Sequence, residues 1–391
     1  MVVEELEIGR IERVELRVVG LPLVTPFATA AEARATRDVL LVRVDSEGAI
    51  GWGECGAFAQ PSYTAETIVT ARHVLAAFLA PALTGARIVG DLRAAFTAVR
   101  GHPMAKAAME GAVLDMVGRR HGQPVWRLLG GSPRPMPSGV AIGLQPSAEA
   151  LLEAVGQAVA EGYRQVKLKV RPGWAAEPVR AVRERFPDLP LWVDANGSFT
   201  MADLDTLLAL DGLGLRMIEQ PLPASDLVGH ARLAVQIETP LCLDESVESL
   251  GDLEAAAALG AVRVLNLKPG RVGGLLAACQ LARHARELGI GVFVGGMLES
   301  GLGRAACLHL QTLPAVNLGG DVSVPGRYLQ EDLVRSWPAL DAEGCLDVPS
   351  GPGIGVEVLD EVVTRRTLAL EIVGDSCVDP RAHGPALDEG A

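Results

Sequence analysis

Residues 166–170 read VKLKV, and LWVD (191–194), RMIE (216–219), LCLD (241–244) and VLNLK (264–268) follow at nearly constant intervals. Each stretch is short and apolar, and each carries charge at or near its carboxyl end. Continuous apolar runs of this length suit strands buried on both faces of a parallel sheet. SGVAI (138–142), GVFV (291–294) and VNLG (316–319) extend the series to eight. Helical periodicity fills the gaps at 177–185, 250–259 and 275–288. Repeated βα units build either a (β/α)8-type barrel or an open doubly wound sheet, and a count of eight favours the barrel.

On the N-terminal side the pattern differs. Residues 11–19 and 38–45 read as strands, with a hairpin turn at Ser46-Glu47-Gly48. Residues 69–83 and 105–120 have apolar side chains three or four apart and read as helices. This is an α+β unit, assigned to 1–132, with the barrel at 133–340. Residues 341–374 contain strand-like pieces that return to the first unit, and 375–391 reads as a frayed tail.

Composition narrows the function classes. The 391 residues contain 35 Lys plus Arg and 48 Asp plus Glu, a net charge of −13, which argues against a nucleic-acid surface. Hydrophobic residues reach 49% with only 4% aromatics, so Ala, Val and Leu must fill a sizeable core. No apolar run is long enough to span a membrane, and the acidic N-terminus lacks the parts of a signal peptide. Six cysteines (55, 242, 279, 307, 345 and 377) show no CxxC spacing, which fits reduced thiols in the cytoplasm.

The chemistry lies in the strand ends. Lys169, Asp194, Glu219, Asp244 and Lys268 are spaced 25, 25, 25 and 24 residues apart. In a parallel barrel that register puts all five at one rim, where barrel active sites lie. Alone, a strand lysine is ordinarily a snorkelling surface residue, and a carboxylate after a strand ordinarily caps a helix. Five charges at one register do not fit those readings. Asp194, Glu219 and Asp244 would repel unless a cation joins them, and three oxygen ligands suit Mg2+, with Mn2+ or another divalent ion as a substitute. Lys167 and Lys169 share one side of their strand. Mutual repulsion and burial are expected to lower the pKa of at least one. Lys268, four strands away, would face the cation from the opposite side. Two amines flanking a metal-held carboxylate are suited to removing the α-proton of that carboxylate.

Longer motifs surround these positions: VDAN (193–196), IEQP (218–221), LDES (243–246), NLKPGRVGG (266–274), GGMLESGLGR (295–304) and GDVS (320–323). In these motifs the chain resembles the enolase superfamily, muconate-lactonising subgroup. It is most similar to the o-succinylbenzoate synthase / N-succinylamino acid racemase family. The resemblance spans about residues 10–370. It implies an enolase-like, modified TIM barrel with an N-terminal capping domain. It also implies a Mg2+-dependent lyase or isomerase, proceeding through an enediolate and acting on a small carboxylate, as a cytoplasmic homo-oligomer.

Carried over residue by residue, the resemblance makes Asp194, Glu219 and Asp244 the metal ligands. Lys169 becomes the base, tuned by Lys167, and Lys268 the base or cationic stabiliser opposite. Asn196, Glu245 and Arg271 would support the metal ligands. Phe27, Tyr63, Ala141, Gly296, Met297, Glu299, Ser300, Asp321 and Ser323 would line the substrate pocket. Residues 23–29 would form a mobile capping loop, with 53–56 and 61–63 a second one. Three departures from the family pattern bear on substrate choice: Thr29-Ala30-Ala31-Glu32, Ala141 in the first barrel strand, and Gly197-Ser198-Phe199. Dipeptide epimerase and muconate-type cycloisomerase are the alternatives on this scaffold. The Asp-x-Asp that would favour the epimerase is missing at 320–323. A non-enzymatic binding protein would require loss of a ligand or lysine, and none is lost.

Overall fold

The computed structural model describes residues 3–28 and 33–373. Three antiparallel strands open it: β1 (Ile11–Ala28), β2 (Ala33–Ser46) and β3 (Ala49–Cys55). Glu47 and Gly48 make the two-residue turn between the last two, with φ of 50° and 81°, the left-handed pair a tight hairpin needs. Helix α1 (Ile68–Val74) continues through one wider turn to Leu83, and α2 (Pro103–Arg120) crosses β3. That crossing requires glycine. A Cβ on Gly51 or Gly53 would sit 2.0 Å from the carbonyl oxygen of Ala112 or Ala108.

Seven parallel strands follow in sequential order: β4 (Val140–Ile142), β5 (Val166–Lys169), β6 (Leu191–Asp194), β7 (Ile218–Glu219), β8 (Leu241–Leu243), β9 (Val264–Leu267) and β10 (Gly291–Val294). Helices alternate with them: α3 (Ala148–Ala160), α4 (Ala176–Arg185), α5 (Leu204–Asp211), α6 (Leu227–Ala234), α7 (Leu250–Ala258), α8 (Leu275–Glu287) and α9 (Gly301–Gln311). Ser147, Ser249 and Ser300 cap α3, α7 and α9 by accepting amide hydrogens of the first turn. The register sets Lys169 beside Asp194 and Asp194 beside Glu219, so the charges meet at one rim.

The expected eighth strand, 316–319, is not one. The Asn317 side chain accepts the Val292 N–H at 2.9 Å, taking a bond a strand backbone would have made. Gly319 then turns to φ 77°. Closure falls to Gly320, which bridges both Val294 and Ser138. The sheet is thus curled into a barrel-like ring of seven strands and one irregular segment.

The chain then returns to its start. Strand β11 (Thr367–Val373) pairs antiparallel with β1, giving the first sheet the order β11-β1-β2-β3. One carboxylate ties sheet to barrel. Glu54, on β3, accepts the amides of Ser300 (3.0 Å) and Gly303 (3.1 Å) and the Ser300 hydroxyl, at the start of α9. Burial and the nearby Glu299 push its pKa up to about 7, although the Ser300 bonds oppose the shift. No helix among the described residues is long and apolar enough to cross a membrane.

Candidate active site

Asp194, Glu219 and Asp244 end β6, end β7 and follow β8. One oxygen from each lies within 4.8 Å of the others, and all three side chains are buried. Burial raises the pKa of Asp194, but the Lys169 and Lys167 ammoniums outweigh it and hold the group low. Lys268 and Arg271 do the same for Asp244. Glu219 goes the other way. Burial and the charges of Asp194 and Asp244 push it up to about 8. Glu219 is thus the one of the three whose charge the surrounding cations offset least. Three converging, buried, hard oxygen donors fit a divalent cation of the Mg2+ type.

The lysines flank the cluster. Lys169 Nζ donates to Asp194 Oδ2 at 2.6 Å and to Asn196 Oδ1 at 2.7 Å. Lys268 Nζ donates to Asp244 Oδ2 at 2.6 Å and to the Tyr63 hydroxyl at 3.1 Å. Lys167 pairs with Asp321 and stands 3.4 Å from both Asp194 and Glu219. Lys167, one of the two lysines expected to be lowered, is raised instead, and so is Lys268. Burial does oppose their charge, but the carboxylates outweigh it: Asp321, Glu219 and Asp194 around Lys167, Asp244 beside Lys268. Both are held well above the usual lysine value. A dication among the carboxylates would withdraw that attraction.

A ring of neutral and charged groups orients the cluster. Asn196, at φ 45°, accepts from Lys169, donates its amide to Asp194 and its side-chain Nδ2 to Glu245 at 3.0 Å. Glu245 is pushed up to about 7 by burial and by Asp244 and Asp194. The fully buried Arg271 bonds Asp244 and the Asn266 carbonyl, and reaches the Val247 carbonyl at 3.0 Å. Tyr63 donates to Asp244 at 3.1 Å, and burial raises its phenol pKa.

Four participants were not singled out from the sequence. Asn266 Nδ2 donates to Glu219 Oε1 at 2.6 Å, and Gln220 Oε1 accepts the Asp244 amide at 2.9 Å. Tyr328 donates to the Ala141 carbonyl at 2.7 Å and stacks edge-on against Phe27, with centroids 5.6 Å apart. Arg304 lies 5.3 Å from the Tyr328 ring centre. The first two carry a signal in the sequence, a polar side chain inside or just after a buried strand. Arg304 only closes the 295–304 motif, and Tyr328 carries no signal.

Above the cluster lies a cavity of about 260 Å3. Phe27, Tyr63, Ala141, Gly296, Met297 and Asp321 line it, with Arg304 and Tyr328. Glu299, Ser300 and Ser323 do not, contrary to expectation. Glu299 turns back onto the Met297 amide, Ser300 caps α9 and holds Glu54, and Ser323 accepts from Arg304. Thr29-Ala30-Ala31-Glu32 and the tail 375–391 lie outside the described residues, as does the end of the expected capping loop at Thr29.

Comparison with known proteins agrees with this geometry. Residues 150–362 match the family described as enolase C-terminal domain-like. Residues 13–130 match the mandelate racemase / muconate lactonizing enzyme N-terminal domain. The chain belongs to the enolase superfamily. Within it, the chain sits in the mandelate-racemase/muconate-lactonizing subgroup and is closely related to two enzyme families. An o-succinylbenzoate synthase of Geobacillus kaustophilus is 44% identical over 361 residues, covering 91% of this chain and 96% of the relative. An N-succinylamino acid racemase of Amycolatopsis sp is 45% identical over 367 residues, covering 91% and 98%. A crystal structure of an enolase-superfamily member from Listeria innocua superposes with a TM-score of 0.88 at 37% identity, covering 93% of this chain and 99% of that one. The chain is accordingly an enzyme of the superfamily's Mg2+-dependent, enediolate-forming type. Asp194, Glu219 and Asp244 form its metal site, and its substrate is a small carboxylate.

Proposed function

We propose that this enzyme removes the α-proton of a carboxylate substrate with Lys169 and works from the other face with Lys268. The products would be those of o-succinylbenzoate synthase, of N-succinylamino acid racemase, or of both. One observation carries the reading. Lys169 is held on Asp194 and Lys268 on Asp244, on either side of Glu219 in strand order.

Asp194, Glu219 and Asp244 would hold Mg2+, which would supply Lewis acidity there, as at other superfamily sites. The chain's own groups do the proton transfer. Neutral Lys169 Nζ takes the α-proton and becomes an ammonium, oriented by the Asn196 carbonyl. In the synthase reaction that ammonium returns its proton to the departing hydroxyl, which leaves as water, while protonated Lys268 steadies charge opposite. In the racemase reaction Lys268 delivers a proton to the other face. Lys167 places a second positive charge on Asp194, the carboxylate that holds Lys169. Phe27, Tyr63 and Met297 wall the cavity and exclude water.

The five described cysteines are free, which suits a reducing cytoplasm. The exposed row Leu368, Leu370 and Ile372 on edge strand β11 supports a homo-oligomer, which light scattering would measure.

The test is a side-by-side assay of the succinyl-cyclohexadiene carboxylate and several N-succinyl amino acids in deuterated water. Solvent deuterium should enter the α-position of the amino acids. Full activity of Lys169→Ala on either substrate would refute the assignment of the base.

A further inference from the structure

The four cations that flank the metal cluster each have a carboxylate partner. Lys167 pairs with Asp321, Lys169 with Asp194, and Lys268 and Arg271 with Asp244. Arg304 is 2% exposed and forms no ion pair among the described residues. Its Nε donates to the Glu299 carbonyl at 2.9 Å. Its Nη1 donates to the Ser323 carbonyl at 2.8 Å and hydroxyl at 3.1 Å. Nη2 makes no hydrogen bond to a described residue, although Arg304 lines the cavity above the cluster. A buried guanidinium without a counter-ion is costly unless something anionic completes it. Asp321 is already taken by Lys167, and Asp332 by the amides of Gly301 and Leu333.

The position of this cation is as informative as its charge. Arg304 sits in α9, just after β10, and the Tyr328 ring beside it is tied to Ala141 on β4. Strands β10 and β4 are the two ends of the seven-stranded sheet, and Glu219 lies on β7, the middle strand. Arg304 therefore stands across the mouth from the metal cluster.

We propose that Arg304 receives a second anionic group of the substrate, a carboxylate on the arm remote from the α-carbon. The enzyme is then selective for dianions: one carboxylate at the metal cluster, the other on Nη2. This rests on the α-proton-transfer reading above. The succinyl arm already belongs to that reading; what is added is the group that holds the arm's carboxylate, and with it a preference over neutral N-acyl compounds such as N-acetyl amino acids.

Matched arms test it. One amino acid is prepared with an N-succinyl arm and with an N-succinamoyl arm, the same shape without the charge. Racemisation is followed polarimetrically in wild type, Arg304→Gln and Arg304→Lys, each checked for folding by circular dichroism. A charge-assisted hydrogen bond predicts that wild type favours the succinyl arm by about 10–100-fold in kcat/KM. Arg304→Gln should lose that preference through the KM of the succinyl substrate alone, and Arg304→Lys should keep part of it. Equal losses on both substrates would mean that Arg304 only braces its loop, and would overturn the proposal. So would a wild type without preference.

Should no substrate exchange its α-proton, the reaction assignment fails, and binding decides Arg304 separately. Calorimetry of N-succinylglycine against N-succinamoylglycine compares ligands that differ only in the arm. Tighter binding of the former by wild type, abolished in Arg304→Gln, supports the proposal. Indistinguishable binding ends it.

Discussion

Replacing Asn266 with leucine separates metal affinity from fold stability. Asn266 Nδ2 donates to Glu219 Oε1 at 2.6 Å, while its Oδ1 is buried without a partner. Leucine has nearly the same volume and removes both atoms. Losing a hydrogen bond to a charged acceptor costs about 1.5–3 kcal/mol. At about 1.36 kcal/mol per decade, that is roughly a 10–150-fold weaker hold on the cation. An outer partner of a metal ligand falls in the same range. Folding feels the change differently. Removing an unsatisfied acceptor returns about 1–3 kcal/mol, which offsets most of the loss. Titration calorimetry with Mg2+ should therefore show a Kd raised by one to two decades, while the urea midpoint of the metal-free protein moves little. An unchanged Kd would refute the argument that Asn266 sets the strength of Glu219 as a ligand.

Chelation followed by dialysis should abolish turnover; Mg2+ or Mn2+ should restore it, and saturating Mg2+ at about 100 times Kd should add about 2.7 kcal/mol of stability in a thermal melt. Gly53→Ala places a Cβ 2.0 Å from the Ala108 carbonyl, so α2 must shift; a loss of about 1–3 kcal/mol in denaturant unfolding is expected, and a neutral result would contradict the close packing of β3 on α2. His309 is buried and neutral, accepting the Trp126 amide and facing the Ile354 carbonyl; burial lowers its pKa from 6.5 to about 4. The unfolded chain binds its proton first, so this stability is complete above about pH 6.5 and is lost as pH falls toward 4, by about 2 kcal/mol at pH 5. Stability measured against pH should flatten over that window in His309→Gln.

The carboxylates and lysines of the rim were legible because two periodicities met in one stretch: alternation along each strand and a βα repeat of about 25 residues. Lys169, Asp194, Glu219, Asp244 and Lys268 all obey both. Asn266 obeys the first, two residues before Lys268 on the same strand face, yet a lone asparagine announces no partner. Arg304 and Tyr328 obey neither. They meet only because the ends of the sheet close on each other, and closure depends on Gly320 and its neighbours. The 316–319 segment misled for a related reason. Its apolar residues look like a strand, but Asn317 competes for the ladder and Gly319 turns away. The upward shift at Lys167 was not legible because Asp321, which dominates the attraction on it, sits far along the chain in that closing segment.

Glu54 has a wider implication. It grows from the opening sheet yet quiets the amide hydrogens that begin the last barrel helix. A gene cut between the two would leave an orphan acid in one product and a frayed helix in the other. Recombination between cousins must then transmit both halves as a matched set, or find an acid in the donor and a serine in the recipient already waiting for each other.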